Sequence, residues 1–217
     1  MRTGAAPVVL VMAGAFVAIE AVLAASDFGL LPRGLRFAAY RQFAFFDLYF
    51  EAALSGQTVR AQLVWSLVTH AFLHGGLLHL AMNTAVFVAL GSHLCRAVGE
   101  GAMLALFVAT AAAGAVTFGL IADTGLQFIP MVGASGALFG FLGAMKRWEW
   151  RYIRGADLPR RRFWSTVLAL VAVNVLLSFG FGDGGGVAWE AHLGGFVAGW
   201  VAGGFISPRR GMWIGPI

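Results

Sequence analysis

Gly133-Ala134-Ser135-Gly136, running straight into the apolar stretch Ala137 to Met145, is the segment whose reading decides the fold. Pro130 precedes it, so Ser135 puts a hydroxyl at the head of a helix that is apolar enough to enter a membrane. A second polar residue opens a later run of the same kind, Ala191-His192-Leu193-Gly194-Gly195-Phe196. Alone, Ser135 reads as an ordinary helix N-cap, or as a hydroxyl bonded back to its own helix. His192 is harder to dismiss, because ionisable groups in hydrocarbon are costly and usually functional. Taken together they read as a nucleophile and its base, buried in a bilayer.

Composition agrees with that setting. The 217-residue chain is 59% hydrophobic and 12% charged. Soluble domains carry about a quarter charged residues. The mean hydropathy of +0.81 points the same way. The chain is therefore an all-α, polytopic membrane protein. Its one cysteine, Cys95, excludes an intramolecular disulfide framework and a Cys-based zinc site. The net charge of +5 comes mostly from arginines flanking apolar runs, a mark of membrane orientation rather than of nucleic-acid binding. Arg2 and the stretch Ala5 to Ala25 read as a first membrane span, too long for a signal peptide's apolar region.

Six apolar segments, at about 7–26, 77–95, 102–122, 134–150, 164–182 and 190–207, are long enough or nearly so to cross about 30 Å of hydrocarbon. The fourth and sixth are short, which is tolerable where helix ends face an aqueous cavity. Lys146, Arg147, Arg151, Arg154, Arg160, Arg161 and Arg162 crowd the connection between the fourth and fifth segments. Arg2, Arg96, Arg209 and Arg210 fall on the same side if there are six spans, and that side is expected to be cytoplasmic, with both termini. The long first loop, about 27–76, is dense in Phe, Tyr and Trp beside charges and is expected to lie in the membrane interface. No linker separates a second unit, so residues 1–217 are expected to form one domain.

Small residues mark where helices approach. Gly136, Gly140 and Ala144 recur every four residues, as do Ala191, Gly195, Gly199 and Gly203. If these stripes pack together, Ser135 and His192 meet at one end of the pair.

A serine needs a base to take its proton, and the same base then protonates the leaving amine. No acid stands near enough to orient His192, since Asp183 and Glu190 belong to the connecting loop; a dyad is expected rather than a triad. An oxyanion would meet the free N–H groups that open the fourth segment. His79 and Asn83, four residues apart on one helix face, read either as two further donors to that oxyanion or as a pair that only ties helices together. A metal site among His70, His74 and His79 is disfavoured, because the cluster has no carboxylate or cysteine. No cofactor or metal is expected.

In this order, His79-x-x-x-Asn83, Gly133-x-Ser135-Gly136 and Ala191-His192 with Gly195 and Gly199 resemble the rhomboid family of intramembrane serine proteases. The resemblance covers nearly the whole chain. It implies a compact six-helix bundle with a membrane-associated first loop, Ser135 as nucleophile and His192 as base. It also implies oxyanion stabilisation by His79, Asn83 and the N–H of Ser135. Gly133 and Gly136 would allow the tight geometry, and His74 would support the first loop and the active-site end of the second segment. Three departures stand out. Phe139 replaces a tyrosine that many relatives stack on the histidine; Trp65-Ser66 stands where many have Trp-Arg; Cys95 replaces a glutamate.

The expected substrates are transmembrane proteins in the lipid bilayer, cut in or near a span weakened by Gly or Pro, with a small residue before the cut. Entry is expected between the second and fifth segments. The loop Asp183–Trp189, with Gly182, Gly184, Gly185 and Gly186, reads as a lid or simply as a flexible connection. The compact form suggests a prokaryotic inner membrane. A rhomboid-like protein that binds membrane clients without cutting them is the alternative, which the intact Ser135 and His192 disfavour.

Overall fold

The computed structural model describes residues 4–57, 60–122, 124–125, 127–180 and 187–209. Among them the chain is helical throughout: α1 (Pro7–Asp27), α2 (Leu35–Phe43), α3 (Asp47–Leu54), α4 (Gln62–Thr69), α5 (Leu77–Val98), α6 (Glu100–Ile121), α7 (Ser135–Gly155), α8 (Arg161–Gly180) and α9 (Trp189–Phe205). The one extended pairing among the described residues is an isolated bridge between Phe45 and Met131.

Among the described residues three helices, α1, α5 and α6, are long and apolar enough to cross a membrane, with hydropathies of 2.5, 1.4 and 2.1. Long unbroken helices are what a chain adopts where every backbone polar group must be satisfied internally. Their buried faces meet in an aromatic core. Phe16 of α1 lies 5.2 Å from Phe87 of α5, Phe87 lies 5.8 Å from Phe107 of α6, and Phe107 lies 6.2 Å from Phe141 of α7, ring centre to ring centre.

α7 and α9 pack backbone to backbone. A Cβ on Gly195 or Gly199 would collide with the carbonyl oxygen of Gly136 or Gly140, and one on Gly203 would lie 2.8 Å from that of Ala144. α6 closes on α9 by the same means, since a Cβ on Gly114 would meet the Ala191 carbonyl oxygen at 2.8 Å. Glycine is required at this seam because only a hydrogen fits between the two helices.

Residues 27–76 are a chain of short helices, α2 to α4, rather than a plain linker. Thr124 donates to Asp47 at the start of α3, through its hydroxyl at 2.5 Å and its N–H at 3.3 Å. Trp65 Nε1 donates to the Gln42 carbonyl at 2.8 Å, and the Thr69 hydroxyl to that of Phe43 at 2.8 Å. Ser66 bonds locally to the Leu63 carbonyl. Arg36 adds charged anchoring, reaching Glu20 of α1 at 2.8 Å, Asp27 at 2.6 Å and the His74 carbonyl at 2.8 Å.

Several helix ends differ from the hydropathy reading. α7 continues past 150 to Gly155, and α8 begins at Arg161 rather than 164. Cations end a hydropathy window but not a hydrogen-bond ladder. Within α7, Lys146 is buried and pairs with Glu149 three residues on, 2.5 Å away, so the charge there is met inside the helix.

Candidate active site

α7 begins at Ser135 itself, with Ala134 in the N-cap position; the serine is the first helical residue rather than the cap. Its side chain projects from the helix start, where the first N–H groups have no intrahelical acceptor. His192 sits one turn into α9 and is 2% exposed. The glycine seam brings the two together, with His192 Nε2 2.8 Å from Ser135 Oγ. That is hydrogen-bonding distance for a hydroxyl and an imidazole.

The imidazole is held on a face and at its far edge. Phe139, one turn after the serine, stacks on it with ring centres 4.2 Å apart and an interplanar angle of 9°. The stacking partner therefore survives without a phenol hydroxyl. His192 Nδ1 lies 2.6 Å from Oδ1 of Asn174 on α8. Reading the sequence for an acid missed this contact. The available signal was a lone amide in the apolar run Val167 to Leu177, where a polar side chain needs a partner.

Gly133 forms the floor on the other side. Its φ of +113° is a conformation that L side chains rarely adopt, and a Cβ there would lie 2.7 Å from His79 Nε2. Its N–H donates to the His70 carbonyl at 3.0 Å, which ties the Ser135 loop to the turn before α5. Gly136 faces Ala191 of α9, so both glycines lie where two backbones or a backbone and a ring touch.

His79 and Asn83 share one face of α5, as their spacing requires. His79 Nδ1 accepts from the Gly75 N–H at 3.2 Å, leaving Nε2 turned toward Gly133. The Asn83 amide is buried and donates to the His79 carbonyl at 3.0 Å, so in this state it is engaged with its own helix.

His74 stands behind His79, edge to face with ring centres 5.4 Å apart, and contacts Phe16 of α1 in the same manner at 5.4 Å. Its carbonyl accepts from both Arg36 and the Tyr40 hydroxyl, the latter at 2.7 Å. Burial, reinforced by nearby His79, pushes the His74 imidazole down to about 4. Burial does the same to His70, also to about 4, against the opposing hydrogen bond to the Ser66 carbonyl. The Arg36 guanidinium is held charged by Glu20, and burial raises the Tyr40 phenol. His70 Nδ1 is 2.8 Å from the Ser66 carbonyl, so that nitrogen is engaged with the backbone one turn earlier.

Of the loop Asp183–Trp189, Asp183 and its glycines through Gly186, together with Gly182 just before it, lie outside the described residues; Val187 and Ala188 lead directly into α9.

Comparison with known proteins bears on the same residues. A family model described as Rhomboid domain matches residues 61–209, which contain Ser135, His192, His79, Asn83 and Asn174. The Rhomboid protease GluP of Bacillus subtilis is 32% identical over 139 residues, covering 64% of this chain and 25% of its own length. RHOMBOID-like protein 5 of Arabidopsis thaliana is 31% identical over 166 residues, covering 72% of this chain and 52% of its own. RHOMBOID-like protein 4 of the same plant is 31% identical over 160 residues, 73% and 38% respectively. The chain thus spans between a quarter and about half the length of these relatives.

Proposed function

The chain belongs to the rhomboid family of membrane proteins, and from that membership we propose that it is an intramembrane serine protease working through Ser135 and His192. One observation carries the reading: the 2.8 Å contact between Ser135 Oγ and His192 Nε2, made between two helices that meet through glycine.

The chemistry follows from the geometry. Ser135 Oγ attacks the carbonyl carbon of a substrate peptide bond while its proton passes to His192 Nε2. The resulting oxyanion lies at the start of α7, where the Ser135 N–H and the helix dipole meet it. His79 Nε2 and a rotated Asn83 amide complete the donor set. The imidazolium returns its proton to the leaving amine, giving an acyl-enzyme. Water, activated by the same histidine, then releases the new carboxylate and regenerates the serine. Gly133 and Gly136 permit the close approaches, Phe139 holds the imidazole plane, and His74 braces α5 against the first loop.

We assign residues 1–217 to one domain with six spans, α1 and α5 to α9, and a membrane-associated first loop formed by α2 to α4. The arginine-rich α7–α8 connection and both termini are assigned to the cytoplasmic side of a prokaryotic inner membrane. Substrates are transmembrane proteins entering between α5 and α8. Helix-weakening Gly or Pro near the cut exposes a carbonyl that helical hydrogen bonds otherwise shield.

The test is co-expression with a panel of single-span proteins, together with fluorophosphonate labelling of the purified chain. Wild type is expected to cleave and to label, while Ser135→Ala and His192→Ala insert normally and do neither. Cleavage retained by Ser135→Ala removes the assigned nucleophile. Binding of clients by an ordered, unlabelled wild type favours the non-cutting alternative.

A further inference from the structure

Asn174 is a polar side chain in an otherwise apolar run of α8, from Val167 to Leu177. Its neighbours Val173, Val175 and Leu176 point away from the bundle and are 51%, 49% and 69% exposed. Asn174 instead reaches across to α9, where its Oδ1 lies 2.6 Å from His192 Nδ1. An amide in hydrocarbon is expensive unless it is engaged, and this one is engaged with the imidazole that also contacts Ser135. We propose that Asn174 is a positioning residue that selects the His192 tautomer able to accept the Ser135 proton. The inference rests on the assignment of Ser135 and His192 as nucleophile and base.

Donor and acceptor pairing fixes the tautomer. A neutral imidazole carries one N–H, on Nδ1 or on Nε2. With an amide oxygen at Nδ1, that nitrogen must donate, since two lone pairs 2.6 Å apart repel. Nε2 is then left with its lone pair, facing the Ser135 hydroxyl 2.8 Å away. The opposite tautomer would point an N–H at the serine and could not take its proton. When His192 becomes imidazolium, the Nδ1–H bond to Asn174 turns charge-assisted and strengthens. The task is the one a triad carboxylate performs. A neutral amide performs it without placing a second ion beside the buried His192, which would be costly. It also leaves the imidazolium a stronger acid toward the leaving amine.

Other groups face His192 as well. His79 of α5 turns its Nε2 toward Gly133, two residues before Ser135. α7 presents Ser135 and Phe139. α6 presents Gly114 and Thr117 to this end of α9, neither of them titratable. Glu190 lies two residues earlier on α9 itself.

The test uses the full chain, purified in detergent, with a transmembrane peptide substrate. Asn174→Ala and Asn174→Leu are expected to lower kcat on the order of 10- to 100-fold with little change in KM, because the loss falls on proton transfer. Asn174→Asp is expected to recover much of kcat and to move the acid limb of the kcat/KM profile to higher pH, since a carboxylate favours the imidazolium. Nitrogen-15 spectra of wild type, which do not depend on any variant folding, should show His192 protonated at Nδ1 and bare at Nε2. A wild type protonated at Nε2 overturns the proposal. So do Ala and Leu variants that keep kcat within about twofold while Asp leaves the pH profile unmoved. A wild type with no Ser135-dependent turnover overturns the protease reading and this inference with it.

Discussion

The ring of Phe139 lies parallel to the imidazole of His192, 4.2 Å away and tilted by only 9°. The two are on different helices, so the stack orients the catalytic candidate from outside its own backbone. Together with the Asn174 contact it restricts both rotation and tilt of the ring.

Removing that stack should cost activity more than stability. Phe139→Ala is expected to lower the rate of fluorophosphonate labelling about tenfold and to destabilise by roughly 2 kcal/mol, less than a fully buried phenylalanine because Phe139 is only half-buried. Phe139→Tyr should preserve the stack and label at a rate close to wild type. Labelling rates and thermal melts on the same preparations check both.

The seam between α7 and α9 predicts a sharp contrast among glycines. Gly195→Ala places a methyl group against the Gly136 carbonyl and should cost about 1–3 kcal/mol, with cleavage lost as Ser135 and His192 separate. Gly14→Ala, where a Cβ meets nothing within 4 Å, should be neutral or stabilise by up to about 1 kcal/mol. Equal effects at the two positions would count against the seam.

Arg36 and Glu20 should behave as a coupled pair. Glu20 is 1% exposed, so Arg36→Ala strands a buried carboxylate, at a cost of about 3–5 kcal/mol. Glu20→Gln in the same chain should recover part of that loss. A double-mutant cycle on thermal stability measures the coupling directly.

Acid should weaken the region around the first loop through His70 and His74. Both imidazoles sit at about 4 in the folded chain, below their ordinary value of 6.5. Below pH 6.5 the unfolded chain binds protons that the folded chain does not. Stability is therefore flat above 6.5 and falls toward pH 4, by about 1.4 kcal/mol per pH unit for each histidine. Melting midpoints between pH 7.5 and 4.5 test the slope, and His70→Gln should make it shallower.

Much of this was legible in the sequence, for identifiable reasons. Gly195 and Gly199 repeat at the same interval as Gly136 and Gly140, so the helix pairing, and with it the meeting of Ser135 and His192, is written as a period. The Asn174 contact has no such period. It joins residues 18 apart through an amide rather than an acid, and its one mark in the sequence is a lone polar side chain on an apolar helix. The extension of α7 past 150 was hidden because Arg151 and Arg154 end a hydropathy window without ending the helix. The aromatic density of 27–76 gave the expectation of an interfacial segment but not the breaks between α2, α3 and α4. Those breaks follow from long-range bonds such as Thr124 to Asp47 and Arg36 to Glu20.

Because main-chain atoms form the junction of α7 and α9, the spacing between serine and histidine is set by van der Waals radii and not by the rotamers of large side chains. The outward residues of α9, such as Leu193, Val197 and Val201, are thereby uncoupled from it. Substitutions there can change the outer surface of α9 while Ser135 and His192 keep their separation.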